Sequence, residues 1–238
     1  MKYILIVLAV LVGLFILYSL TAIISGWCVR KEEYTTNSRY YRCLLYIGTW
    51  IAVVFGRIKL HVRYDEPLPE GRFVVVGNHR SKFDPILTWW ELRKRDVAFI
   101  TKPENFSIIA FGRIIKKCCF LGIDREDPRK ALTTIIKASE LIKADTVSIG
   151  VYPEGTRSKD MNLLPFHNGV FKIAQKANVP IVVMTTNGTE MIHKNFPLKR
   201  SHVEMHFLKV LPAEEIKNMS TAQIGEIVSE LMKQDLGH

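Results

Sequence analysis

No charged residue interrupts the 27 positions from Tyr3 to Val29 of this 238-residue chain. A soluble core helix has no use for an uncharged run of that length, so an ordinary soluble domain does not describe the whole molecule. At about 1.5 Å of rise per residue, the run can cross the roughly 30 Å hydrocarbon core with some tilt. Ser19, Thr21, Ser25 and Gly26 make its second half more polar, which leaves spanning and single-leaflet insertion both open. A cleaved signal peptide has a shorter apolar region, about 7 to 15 residues, and a small-x-small site after it. No clean site of that kind follows, so the segment is expected to be retained.

Cysteine is scarce and poorly spaced. Cys28, Cys43, Cys118 and Cys119 form no C-x-x-C pair, and two adjacent cysteines cannot make an ordinary bridge with each other. A reducing compartment and no metal site are expected. No G-x-S-x-G elbow occurs, which argues against a serine hydrolase. Internal repeats, low-complexity tracts and recognisable nucleic-acid motifs are also lacking.

What is present is apolar and basic. With 48% apolar residues the chain can bury a core, which excludes disorder, and its length suits one domain of about 200 residues plus an appendage. Lys and Arg outnumber Asp and Glu by 33 to 23, a net +10. Arg30, Lys31, Arg39 and Arg42 follow the first apolar run and only Lys2 precedes it, which puts the bulk of the chain on the cytoplasmic face of the cell membrane. Beside a membrane segment, the basic balance reads as attraction to the anionic bilayer, with no nucleic-acid partner expected. A second uncharged run, Leu44 to Gly56, is too short to span; Tyr46 and Trp50 suit an interfacial helix, and a helix packed on the soluble core is the alternative. Residues 1–57 are therefore expected to form a membrane-docking helical pair and 58–238 an α/β domain.

From Ile58 onward, short β-branched runs alternate with helical patterns, the signature of a central mixed sheet flanked by helices. Strands are expected at 58–64, 73–76, 97–101, 120–123, 146–152, 181–185 and 203–208. Helices are expected at 85–95, 107–116, 128–144, 170–176 and 221–234.

The segment Gly77-Asn78-His79-Arg80-Ser81-Lys82-Phe83-Asp84-Pro85 ends a strand and begins a helix. A turn there can bring His79 and Asp84 together, so that the carboxylate fixes the imidazole tautomer and leaves the other nitrogen as a general base. That is two thirds of a serine-protease triad, and a substrate hydroxyl can supply the missing nucleophile. Asp before Pro is also a common helix start, with Asp84 as the N-cap. The pairs His61/Asp65 and His202/Glu204 sit at no strand-to-helix junction, where open α/β sheets place ligands. Tyr152-Pro153-Glu154-Gly155-Thr156-Arg157-Ser158 follows another expected strand and gathers amides, hydroxyls and a guanidinium suited to phosphate. A solvated loop is the plainer alternative. Lys102 and Arg125 also follow strands, and with Arg157 they suggest an anionic substrate in one crevice.

Asn78-His79-x-x-x-x-Asp84 followed in order by Pro153-Glu154-Gly155-Thr156-Arg157 resembles the glycerophospholipid acyltransferase family, and is most similar to bacterial 1-acyl-glycerol-3-phosphate acyltransferases. The likeness covers nearly the whole chain. Ile123-Asp124-Arg125 and Val179-Pro180-Ile181-Val182 match parts of two further family motifs. Cys119, Gly122, Val183 and His167 depart from the usual residues.

The resemblance implies acyl transfer from acyl-CoA or acyl-carrier protein to the sn-2 hydroxyl of 1-acyl-glycerol 3-phosphate, forming phosphatidic acid, without a cofactor or metal. Another lysolipid or glycerol 3-phosphate is the alternative acceptor, and a non-catalytic anionic-lipid-binding protein a more remote reading. His79 and Asp84 would be catalytic. Lys102, Glu154 and Gly155 would serve the oxyanion or phosphate, Arg125, Thr156 and Arg157 the substrate phosphate, and Asn78, Ser81 and Pro153 would support them.

Overall fold

The computed structural model describes residues 2–30 and 32–237; Lys31, one of the flanking cations, lies outside them. Seven strands, β1 (Ile58–Tyr64), β2 (Val74–Gly77), β3 (Val97–Thr101), β4 (Leu121–Gly122), β5 (Ser148–Val151), β6 (Ile181–Asn187) and β7 (Ser201–Leu211), form one sheet in the order β1-β7-β6-β2-β5-β3-β4. The five strands from β6 to β4 are parallel, whereas β7 runs antiparallel to β6 and parallel to β1. The sheet is therefore mixed.

Nine α-helices accompany it among the described residues: α1 (Lys2–Trp27), α2 (Arg39–Phe55), α3 (Phe83–Glu91), α4 (Phe111–Lys116), α5 (Pro128–Lys143), α6 (Lys172–Ala177), α7 (Ile192–Asn195), α8 (Ala213–Ile216) and α9 (Thr221–Leu236). Each expected strand and helix has a counterpart, while the one-turn helices α7 and α8 escaped notice because four residues carry no legible period. The central strands β2, β5 and β6 are mostly apolar and buried at every position but Asn187, as coverage of both faces demands. Their side chains alternate between two cores: Val74, Val76, Ile181 and Val183 meet α5, α6 and α9, whereas Val75, Val182 and Met184 meet α2, α3 and α4.

The boundary expected at residue 57 is not a packing boundary. Leu44 and Leu45 of α2 are buried in the second core beside Leu87, Phe99 and Ile115. Arg42, only 3% exposed, reaches from α2 to the carbonyl of Val97 at 3.1 Å, lies 3.3 Å from Asp96, and covers the Trp89 ring. The outer face of α2 still presents Ile47, Trp50, Val54 and Phe55. Core packing and an apolar outward face thus coexist on one helix.

Helix α1 packs on α2 only through its last third. The Tyr18 hydroxyl donates to the Leu44 carbonyl at 3.0 Å, and the Ser25 and Tyr40 hydroxyls pair at 2.6 Å, so the two helices run antiparallel. Gly26 lets α1 approach the backbone of α4, since a Cβ there would stand 2.9 Å from Cα of Ala110. Ser19 and Thr21 return their hydroxyls to the carbonyls of Phe15 and Leu17, which explains how polar residues are accommodated in the run. Residues 3–17 project beyond the contact with apolar side chains exposed, on the side toward which the C-terminal end of α2 points. By length and composition α1 is able to cross a membrane.

Arg42→Ala should lower unfolding stability by about 2 kcal/mol, because it strands the Val97 carbonyl and opens the packing on Trp89. Thermal unfolding in detergent, with Arg42→Lys as the milder variant, checks this.

Candidate active site

The C-terminal ends of β2, β3, β4 and β5 share one rim because these strands are parallel. At the end of β2 the buried Asn78 ties the departing chain to β6, donating to the Thr186 carbonyl at 3.0 Å and accepting from its N–H at 2.7 Å. The chain then folds back on Asp84, which is fully buried. Oδ2 of Asp84 accepts from the N–H groups of Arg80 and Ser81, both at 2.7 Å, and Oδ1 accepts from the Thr189 hydroxyl at 2.5 Å. These donors compensate the lost hydration of the carboxylate. Asp84 is therefore not the N-cap of α3, a position held by Lys82; its carboxylate collects the amides of the preceding turn.

Nδ1 of His79 lies 2.8 Å from Asp84 Oδ2. The carboxylate requires a proton on Nδ1, which leaves Nε2 as the basic nitrogen. Beneath, the ring stacks on Tyr152 with centroids 4.7 Å apart, and the Tyr152 hydroxyl meets that of Thr88 at 3.1 Å. Burial, and next the Asp84 charge, push the Tyr152 phenol well above its ordinary pKa, so it serves as a neutral platform. His79 is thus fixed from below and behind.

The turn after β5 braces the same residue. Glu154, 3% exposed, accepts from the His79 N–H at 2.6 Å through Oε1 and from the Leu164 N–H at 3.0 Å through Oε2. Burial raises its carboxyl pKa, and those two amides pull the other way. A buried carboxylate spent on backbone amides offers nothing to a phosphate or oxyanion, so Glu154 acts as a brace instead. The Gly155 N–H is likewise taken, by the Tyr152 carbonyl at 3.0 Å, and does not supply an oxyanion donor. Gly155 has φ +72°, and a Cβ there would stand 2.8 Å from His167 and 3.2 Å from the Arg125 guanidinium carbon. Its role is to let both side chains close over the turn. Pro153 accepts from the His167 N–H at 2.8 Å, and Ser158 N–H donates to the His79 carbonyl at 2.9 Å.

In front of His79 lies a cavity of about 420 Å³. Its lining includes Lys82, Lys102, Arg125, Thr156 and Arg157 with Gly155, together with the apolar side chains of Leu45, Ile86, Trp89, Phe99, Ile115 and Phe120. None of the four cations forms an ion pair with a described carboxylate. Burial lowers the Arg125 pKa, with Glu104 opposing, yet an arginine remains charged at neutral pH. The arrangement brings a basic nitrogen, four cations and a set of apolar side chains to one space.

Of the residues expected from sequence, His79, Lys102, Arg125, Gly155, Thr156 and Arg157 line this cavity, whereas Asn78, Ser81, Asp84, Pro153 and Glu154 stand behind it. Lys82, Tyr152, Thr189, Leu45 and Thr49 were missed as site residues. Lys82 lies inside the His79–Asp84 segment and was legible there. Thr189 reaches Asp84 across 105 positions, and Leu45 and Thr49 come from a helix read first as interfacial, with packing on the soluble core as the alternative. Another imidazole, His206, lies between Asp235 (2.6 Å) and Asp65 (2.8 Å) but does not line the cavity.

Residues 59–186 match the family model described as Acyltransferase, which is more than half of the chain. The 1-acyl-sn-glycerol-3-phosphate acyltransferase of Haemophilus influenzae is 29% identical over 157 residues, covering 65% of this chain and 64% of that protein. The protein of that name from Escherichia coli K12 is 28% identical over 159 residues, covering 67% and 63%. The matched segments thus span just under two thirds of these bacterial relatives. A crystal structure of the 1-acyl-sn-glycerophosphate acyltransferase PlsC from Thermotoga maritima shares the fold, with a TM-score of 0.65 and 21% identity over 93% of this chain and 88% of the other. With the family model covering the strands and turns that carry His79, Asp84 and Arg157, the chain belongs to the acyltransferase family.

Proposed function

We propose that this chain transfers a fatty acyl group from acyl-CoA or acyl-carrier protein to the sn-2 hydroxyl of 1-acyl-glycerol 3-phosphate, forming phosphatidic acid at the cytoplasmic face of the cell membrane. One observation carries the reading: the Asp84-held His79 shares one cavity with four cations without carboxylate partners and a set of apolar side chains. A lysophosphatidate has a part for each, with a phosphate, a free hydroxyl and an acyl chain. The names of the relatives agree with it.

In the proposed step, Nε2 of His79 takes the proton of the acceptor hydroxyl as its oxygen attacks the thioester carbonyl. Asp84 stabilises the imidazolium that forms. Lys82 or Lys102 faces the negative charge that builds on the carbonyl oxygen. The C–S bond then breaks, and the departing thiolate receives the proton from His79. Because the acceptor is itself the nucleophile, the step uses neither an acyl-enzyme nor a cofactor. Arg125 and Arg157 hold the phosphate, Arg157 being suited to bidentate contact. The bilayer is a partner in this reading, since each methylene of a lipid tail costs about 0.8 kcal/mol to hold in water. A nucleic-acid partner has no part in it.

His79→Ala should lower turnover by about 10²- to 10⁴-fold with the fold retained; near-normal phosphatidic acid formation by that variant contradicts the mechanism. Arg157→Ala should raise KM for lysophosphatidate by roughly 10- to 100-fold and leave the donor KM nearly unchanged, as expected for a lost charged hydrogen bond. Unaltered acceptor kinetics remove Arg157 from the phosphate site. Thr189, a positioning residue acting through Asp84, gives a third test. Thr189→Val should cut kcat about tenfold or more with KM unchanged, and Thr189→Ser should restore it.

A further inference from the structure

On the side of the sheet where β1 forms the edge, a second depression of about 320 Å³ is lined by Arg57, Lys59 and Arg200 together with Val53, Val54 and Ile58. We propose that it seats the phosphate-bearing headgroup of an anionic membrane phospholipid that is not a substrate, and thereby orients the α/β domain on the bilayer. The inference rests on the membrane-associated reading of α1.

Two stretches far apart in sequence build the site. Residues 56–64 and 193–203 contain Arg57, Lys59, Arg63, Lys194, Lys199 and Arg200 and no Asp or Glu. The parallel register of β1 with β7, Ile58 opposite Ser201 and Lys59 opposite His202, sets them side by side. Arg63 is taken by Asp65 at 3.3 Å. Arg57 donates one guanidinium N–H to the Leu198 carbonyl at 2.9 Å, and none of Arg57, Lys59 and Arg200 forms an ion pair with a described carboxylate. Charge on an edge strand also guards against sheet-to-sheet pairing. That need is met by Lys59 and Arg63, and it explains neither Arg57 nor Arg200.

The surroundings point to a bilayer rather than to a free anion. Phe55 and Leu198, 64% and 83% exposed, stand beside the cations, and Phe196 is 55% exposed two residues before Leu198. Cations with exposed aromatic and aliphatic residues a few positions away in the chain suit the headgroup layer. The site also follows the C-terminal end of α2, toward which the unpacked apolar half of α1 projects. A bilayer entered by α1 would lie against this end of the molecule.

The test compares full-length protein with the R57Q/K59Q/R200Q variant by hydrogen exchange in nanodiscs of phosphatidylcholine alone or mixed with phosphatidylglycerol. For the wild type, exchange in 56–64 and 193–203 should slow on the order of tenfold in the anionic discs only, and the variant should lose that difference. The variant should keep its turnover on lysophosphatidate in detergent. Equal exchange in both lipids, or an unchanged difference in the variant, overturns the proposal. Slowing by inorganic phosphate in detergent overturns it in favour of a free-anion site. Failure of the protein to enter nanodiscs overturns the membrane reading as well, so the two failures are distinguishable.

Discussion

The buried carboxylate of Asp84 is the point on which the site is assembled. An unpaired carboxylate in a sheet-packed interior costs several kcal/mol, so its surroundings must supply donors. Four groups do so: the amides of Arg80 and Ser81, the hydroxyl of Thr189 and Nδ1 of His79. Satisfying Asp84 fixes the turn after β2, selects the His79 tautomer and ties both to the segment after β6. Glu154 repeats the strategy one strand away, holding the His79 and Leu164 amides. The imidazole is therefore positioned by two buried carboxylates, only one of which touches its ring.

The same economy of placement governs the apolar lining of the cavity. Leu45 and Thr49 bring α2 into its wall, while Trp50 and Phe55 on the same helix remain exposed. One amphipathic helix thus borders both the substrate space and the surroundings from which a lipid acceptor would come. Arg42 pins that helix to the start of β3, which couples the position of the wall to the sheet. A change in how α2 sits would alter the channel directly. In this chain the hydrophobic N-terminal part contributes to the wall of the cavity as well as carrying a helix long and apolar enough to cross a membrane.

The layered α/β order was legible because β2, β5 and β6 are short, mostly apolar and β-branched runs separated by amphipathic helices, and such strands have few alternatives. His79, Asp84 and Arg157 were legible because their motif segments lie at strand ends, where parallel strands deliver them to one rim. The job of Glu154 was not legible. A carboxylate in a polar turn looks ligand-facing until the fold closes over it, and its burial depends on His79 and Leu164 arriving from other segments. Thr189 was invisible for the same reason, since a threonine after a strand has no sequence signal pointing at an aspartate 105 positions earlier. The inward face of α2 was obscured by its outward one: Leu44 and Leu45 read no differently from Val54 and Phe55 in an uncharged run.

Acyl transfer is direct if the pair His79–Asp84 activates a hydroxyl of the substrate. Rapid-quench measurement of thiol release from acyl donor, with and without lysophosphatidate, tests it most directly when intact-protein mass is read at each time point. Direct transfer gives no thiol burst and no acylated protein without acceptor, and phosphatidic acid formed one for one with thiol once acceptor is present. A stoichiometric burst with an acyl adduct on the protein would contradict it.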